Sequence, residues 1–150
     1  MPSSSPPRPG VLVLNGPNLN RLGVREPDVY GAVTLEDVEA TLRERFSDLA
    51  LTFAQHNGEG ALIDALHAAD TVETAGVVFN PGGYAHTSVA LRDAVASIST
   101  PVVEVHISNV YAREPFRHVS LLSAVCAGVI TGFGVAGYGM AVGHFARQTG

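Results

Sequence analysis

The chain predicts an α/β fold in which a five-stranded parallel sheet is covered by helices on both faces. Three observations carry this expectation. Short apolar runs rich in valine, isoleucine and leucine alternate with stretches of helical apolar spacing. The runs are nearly continuous rather than strictly alternating, which is how strands buried on both faces read. Finally, 150 residues with 46% hydrophobic content are enough for one sizeable core and too few for two. A single domain over residues 11–150 follows, preceded by a tail over residues 1–10. That tail, MPSSSPPRPG, is dominated by serine and proline and lacks the apolar stretch of a signal peptide, so it reads as disordered.

The first strand, residues 11–14, is bounded by Asn15-Gly16-Pro17 and opens into a polar loop that runs to Gly31. Thr34 caps the next helix with Asp37 at the capping-box position, and Leu35, Val38, Leu42 and Phe46 continue it at helical spacing. Residues 49–54 form a second strand; a polar connection, residues 55–60, leads into a helix with Leu62, Ile63 and Leu66 inward. Residues 76–79 are a third strand, residues 80–83 a turn, and residues 87–98 a third helix. A fourth strand over residues 101–105 gives way to a long polar loop, residues 106–115. The spacing then predicts a helical stretch near residues 116–123, a fifth strand over residues 125–131 and a last helix near residues 138–147. This alternation and length fit a flavodoxin-like three-layer sandwich, and right-handed crossovers restrict the strand orders open to it.

Composition removes several functions. A net charge of -5 without runs of like sign supplies no basic face for nucleic acid. No segment is long and apolar enough to span a bilayer, so no membrane partner is expected. The lone Cys126 lies in an apolar run, cannot form an internal disulfide and suits the cytoplasm. All nine basic residues are arginine, so a side-chain Schiff base is excluded. The six histidines lack metal-ligand spacing and there is no P-loop, so neither metal nor cofactor is expected. Gly132 to Gly137 match G-x-G-x-x-G, but only thirteen residues follow, too few for the strand and acidic residue that a dinucleotide needs. Close backbone packing at the last strand-helix turn, or a subunit contact, is the meaning left.

Polar residues cluster after three strands: Asn18, Arg21, Arg25 and Tyr30 after the first, Asn80 and His86 after the third, His106, Ser108, Arg113 and Arg117 after the fourth. In a parallel sheet these ends converge on one crevice. Arginine, tyrosine, histidine and asparagine together suit acid-base chemistry on a small oxygenated anion, or plain binding of a polyhydroxy acid. Backbone amides at Ile107 and Ser108, or around Gly82 and Gly83, would form an anion nest.

The blocks NGPNLNRLGVREPDVYG, QHNGEGALIDALH, FNPGGYAHTSVALRDA, VVEVHISNVYAREPFR and GVITGFGVAGYG occur in this order. Together they make the chain resemble the type II 3-dehydroquinate dehydratases of the shikimate pathway. The resemblance implies anti elimination of water from 3-dehydroquinate through an enol or enolate, with no covalent imine. It implies Tyr30 as proton acceptor, Arg25 as the cation that tunes it, Asn18 at the developing enolate, His106 as proton donor and Glu104 as its orienting partner. Ile107 and Ser108 would hold the substrate carboxylate, while Asn80, His86 and Arg117 would bind ring hydroxyls. Asp93 matches a residue that reaches a neighbouring subunit's site, which implies a homo-oligomer, a dodecamer built from trimers. Arg21 and Arg113 receive no role.

Overall fold

The structure is a computed structural model that describes residues 7–24 and 26–149, except for the side chains of Val29 and Tyr30. Five strands, β1 (Gly10–Asn15), β2 (Ala50–Gln55), β3 (Thr74–Asn80), β4 (Val102–His106) and β5 (Gly128–Thr131), form one sheet in the order β2-β1-β3-β4-β5. Every pairing is parallel. The helices are α1 (Pro27–Tyr30), α2 (Leu35–Arg45), α3 (Glu59–Ala69), α4 (Val89–Ser97) and α5 (Ala136–Thr149). This is the flavodoxin-like order expected, and it begins one residue before the anticipated domain start. The rest of the expected tail, residues 1–6, lies outside the described residues.

Side chains in a strand alternate between faces, and the two halves of the core follow that alternation. Val13, Val78, Val103 and Val105 pack with Val38 and Leu42 of α2 and Tyr138, Val142 and Phe145 of α5. Leu14, Val77, Phe79 and Val102 pack on the other face with Leu62 and Leu66 of α3 and Leu91 and Val95 of α4. The continuous apolar strand sequences thus reflect burial on both sides.

Local signals hold where they were specific. Thr34 accepts from the Asp37 amide while Asp37 accepts from the Thr34 amide, completing the capping box on α2. Asp37 is held below the ordinary carboxylate range by its hydrogen bonds with the Thr34 backbone and hydroxyl.

One expected element is absent in that form. Residues 116–123 do not form an α-helix; short 3-10 turns at Pro115–Arg117 and Ser123–Val125 bracket a non-helical run. The backbone here bonds elsewhere: Leu121 donates to Ala85 at 2.7 Å, and the Val119 carbonyl accepts from His86 Nδ1 at 2.8 Å. Tertiary partners replace the intrahelical ladder. The fifth strand is correspondingly shorter than residues 125–131 suggested.

The sheet is entered from β1 in both directions, to β2 on one side and β3 on the other. That reversal is the topological switch point, where crevices open beyond the strand carboxyl ends.

Candidate active site

Three strand ends build the crevice. Pro17, Asn18 and Leu19 follow β1; Asn80, Gly82, Gly83 and His86 follow β3; His106, Ile107, Ser108, Val110, Arg113 and Arg117 follow β4. The first two loops are drawn together: the Gly16 amide donates to the Asn80 carbonyl at 2.8 Å. A Cβ on Gly16 would lie 2.6 Å from the Pro81 carbonyl oxygen, so only glycine permits this approach.

Glu104 and His106 are two apart on β4 and share a face. His106 Nε2 stands 2.5 Å from Glu104 Oε2, with both side chains buried. A carboxylate accepts, so Nε2 carries a proton and Nδ1 is the nitrogen left for other chemistry. The other carboxylate oxygen accepts from Ser123 Oγ at 2.8 Å. Burial pushes the Glu104 carboxyl upward, but the His106 hydrogen bond and charge, with hydrogen bonds from Ser123 and Ser120, outweigh it and hold the group below its ordinary value. An ionised glutamate is thus fixed behind the imidazole.

His86 stacks near His106, with ring centroids 6.2 Å apart and planes 22° from parallel. Its Nδ1 faces the Val119 carbonyl, which only accepts, so Nδ1 is protonated and Nε2 is an acceptor in the neutral ring.

The peptide planes after β4 are set from behind. The His106 carbonyl accepts from the Gly132 amide at 3.2 Å and the Ile107 carbonyl from the Gly134 amide at 3.0 Å. In a trans peptide the following N-H points the opposite way, so the Ile107 and Ser108 amides are turned away from that glycine turn. Both residues line the cleft, where the sequence reading expected an anion nest. Gly132 and Gly134 have φ of 95° and 63°, a conformation that favours glycine, and a Cβ on Gly137 would meet Ile130 at 3.3 Å and Val105 at 3.4 Å. Close packing is therefore what the G-x-G-x-x-G run provides.

Asn18 adopts a left-handed conformation, φ 69°. Its amide donates to Asn57 Oδ1 at 3.0 Å, and Gln55 Nε2 donates to the same oxygen and to the Gly16 carbonyl, each at 3.0 Å. The Asn57 carbonyl accepts from Tyr84 Oη at 3.2 Å.

Arg113 and Arg117 bring positive charge to the rim. Arg117 Nε bonds Glu114 at 3.1 Å and its guanidinium lies 5.0 Å from the Phe116 ring centroid. Arg113 Nη1 donates to Ser108 Oγ at 3.3 Å, while Nη2 lies 3.9 Å from Glu26 Oε2. Arg113 is thus built into the crevice although it received no role from sequence.

Seven expected residues line one crevice: Asn18, Asn80, His86, His106, Ile107, Ser108 and Arg117. Glu104 stands behind His106. Asp93 lies on the exposed face of α4 and Arg21 is also exposed; neither lines the crevice. Arg25 lies outside the described residues, as does the Tyr30 side chain, whose backbone ends α1. The sequence reading missed Asn57, Ser123 and Tyr138, which act behind the cleft; a polar residue just beyond a strand was the only available signal, and only for Asn57. Among the described residues no group of three or more histidine, cysteine, aspartate or glutamate side chains suits a metal ion. Burial, then the charge of Glu104, pushes the Cys126 thiol up to about 12, which suppresses the reactive thiolate.

Known proteins are similar to this chain in sequence, and solved structures are similar to it in fold as well. A 3-dehydroquinate dehydratase of Exiguobacterium sp. is 61% identical over 133 residues, 88% of this chain and 90% of that protein. One from Anoxybacillus flavithermus is 59% identical over 133 residues, 87% of this chain and 89% of that protein. The crystal structure of type II dehydroquinase from Butyrivibrio crossotus superposes with a TM-score of 0.90 at 44% identity, covering 93% of this chain and 98% of that one. The family model for dehydroquinase class II matches residues 9–146, and the chain belongs to that family.

Proposed function

We propose that this chain is a type II 3-dehydroquinate dehydratase, a hydro-lyase that converts 3-dehydroquinate to 3-dehydroshikimate and water. Family membership and the names of the relatives support the reaction. The observation that carries the chemistry is the buried Glu104-His106 pair opening on a cleft lined by Ile107, Ser108 and two arginines.

Tyr30 takes the proton from the carbon between the ketone and the carbon that bears the leaving hydroxyl. A phenol of pKa ~10 needs ~1.4 kcal/mol of preferential phenolate stabilisation per unit of depression, and Arg25 supplies the positive charge. Asn18 faces the oxygen on which enolate charge builds, directly or through a water. As the enolate collapses, the carbon-oxygen bond breaks, the ring double bond forms and His106 gives its proton to the departing hydroxyl, which leaves as water. Glu104 orients the His106 ring for this step. The Ile107 and Ser108 amides, with the Ser108 hydroxyl, hold the carboxylate; Asn80, His86 and Arg117 bind the ring hydroxyls.

Asp93 completes the site of a neighbouring subunit, and the assembly is a dodecamer of trimers. The compartment is the cytoplasm; among the described residues no helix is long and apolar enough to cross a membrane. The pathway is aromatic amino acid biosynthesis or quinate catabolism.

Formation of the conjugated enone, followed by its ultraviolet absorbance, tests the reaction. The unmodified chain is expected to form the product, with kcat lowered by roughly 10²-fold or more in Tyr30→Phe and in His106→Gln. Undiminished turnover by Tyr30→Phe would refute the assignment of the base.

A further inference from the structure

The hydroxyl of Tyr138 is enclosed between the ends of two neighbouring strands. Tyr138, on α5, is fully buried. Its Oη donates to Asn15 Oδ1 at 2.5 Å and accepts from Asn80 Nδ2 at 2.9 Å. Asn15 ends β1, Asn80 ends β3, and the two are register partners. A phenol has one proton. With that proton given to Asn15, the oxygen must receive one from Asn80, so nitrogen is the Asn80 atom on that side. The Gly82 amide independently donates to Asn80 Oδ1 at 3.1 Å, which fixes the same orientation from the other end. Nδ2 has two protons, and only one goes to Tyr138.

We propose that Tyr138 is a positioning residue that locks the Asn80 amide with an N-H, rather than the carbonyl oxygen, as the group offered to substrate. The subsite therefore selects an oxygen that can accept, such as a ring hydroxyl or ketone. This rests on the reading of Asn80 as a substrate-binding residue. Asn80 lines the cleft with His86 and is itself 3% exposed, so its amide has little freedom to turn over. Burial drives the Tyr138 phenol above its ordinary range, against the Asn80 hydrogen bond, so the hydroxyl stays neutral at working pH.

The test is a double-mutant cycle on kcat and KM for 3-dehydroquinate, with Tyr138→Phe, Asn80→Ala and the pair combined, assayed below each protein's melting temperature. Tyr138→Phe is expected to raise KM roughly tenfold, with a smaller change in kcat, because a buried partner of Asn80 is lost. In the Asn80→Ala background the same substitution is expected to leave KM unchanged. Additive effects, or wild-type KM in Tyr138→Phe, overturn the proposal while Asn80→Ala still impairs binding and the reading of Asn80 stands. Wild-type kinetics in Asn80→Ala overturn both. Asn80→Asp gives an arm that does not depend on Tyr138→Phe folding: it keeps an acceptor for Gly82 but offers no N-H. It is expected to match Asn80→Ala in KM, and a wild-type KM there also overturns the proposal.

Discussion

Glu104 shows what a single buried residue contributes and what the sequence discloses about it. The i, i+2 relation to His106 is readable, because strand side chains two apart share a face. Ser123, which bonds the other carboxylate oxygen, is not readable: it arrives from 19 positions away through a stretch whose spacing suggested a helix. Its contribution has a definite sign with pH. The folded Glu104 carboxyl lies below its ordinary value of 4.5, so the stability it confers is present above about that pH and is lost as pH falls through the folded value. Ser123→Ala removes one donor and is expected to cost about 1–3 kcal/mol at neutral pH. Urea unfolding at neutral pH and at an acid pH below the folded Glu104 value checks this: the gap between variant and wild type should narrow in acid, as the group takes up its proton. A gap equally wide at both pH values would mean that Ser123 acts through packing alone.

The connections between elements divide into those with local signals and those without. The capping box at Thr34 and Asp37 needs only four residues, and it was legible. The loop after β1 is different, because its shape depends on the connection after β2. Asn57, beside β2, accepts from the Asn18 amide and is itself held by Gln55 and Tyr84. Asn57 and Asn18 are both exposed, so the contact adds little to stability. Its value lies in orientation. Asn57→Ala is expected to lower kcat by about tenfold with KM and melting temperature little changed, since the role proposed for Asn18 is to face charge that builds as the enolate forms. Asn57→Asp retains the acceptor for both donors and is expected to recover most of the rate. A variant whose KM rises while kcat holds, or one that Asp fails to rescue, would show that the clamp does not act through Asn18.

At the scale of the whole molecule, the strand order was only narrowed by right-handed crossovers, whereas the alternation of strands and helices and the three converging strand ends were legible from continuous apolar runs separated by helical spacing. What backs the cleft was not. The last segment, read as a failed dinucleotide motif followed by a helix, takes the carbonyls of His106 and Ile107 and places Tyr138 against Asn15 and Asn80. Those contacts join residues up to 123 apart, and no local pattern encodes them. Among the described residues, one proposed site residue stands outside this convergence. Asp93 is exposed on α4 and does not line the crevice of its own chain, so any part it plays in catalysis must be in another copy's site. Two defective chains should then complement each other. Asp93→Ala and His106→Gln chains are each expected to be impaired alone, whereas co-expression forms mixed assemblies in which an intact His106 meets an intact Asp93 from a neighbour. With random mixing of equal amounts, roughly a quarter of the sites regain both groups, if each site draws on one neighbour related by the symmetry of the ring. Turnover per chain in the purified mixed assembly measures this. Activity no higher than the average of the two separate variants would place Asp93 outside the catalytic apparatus.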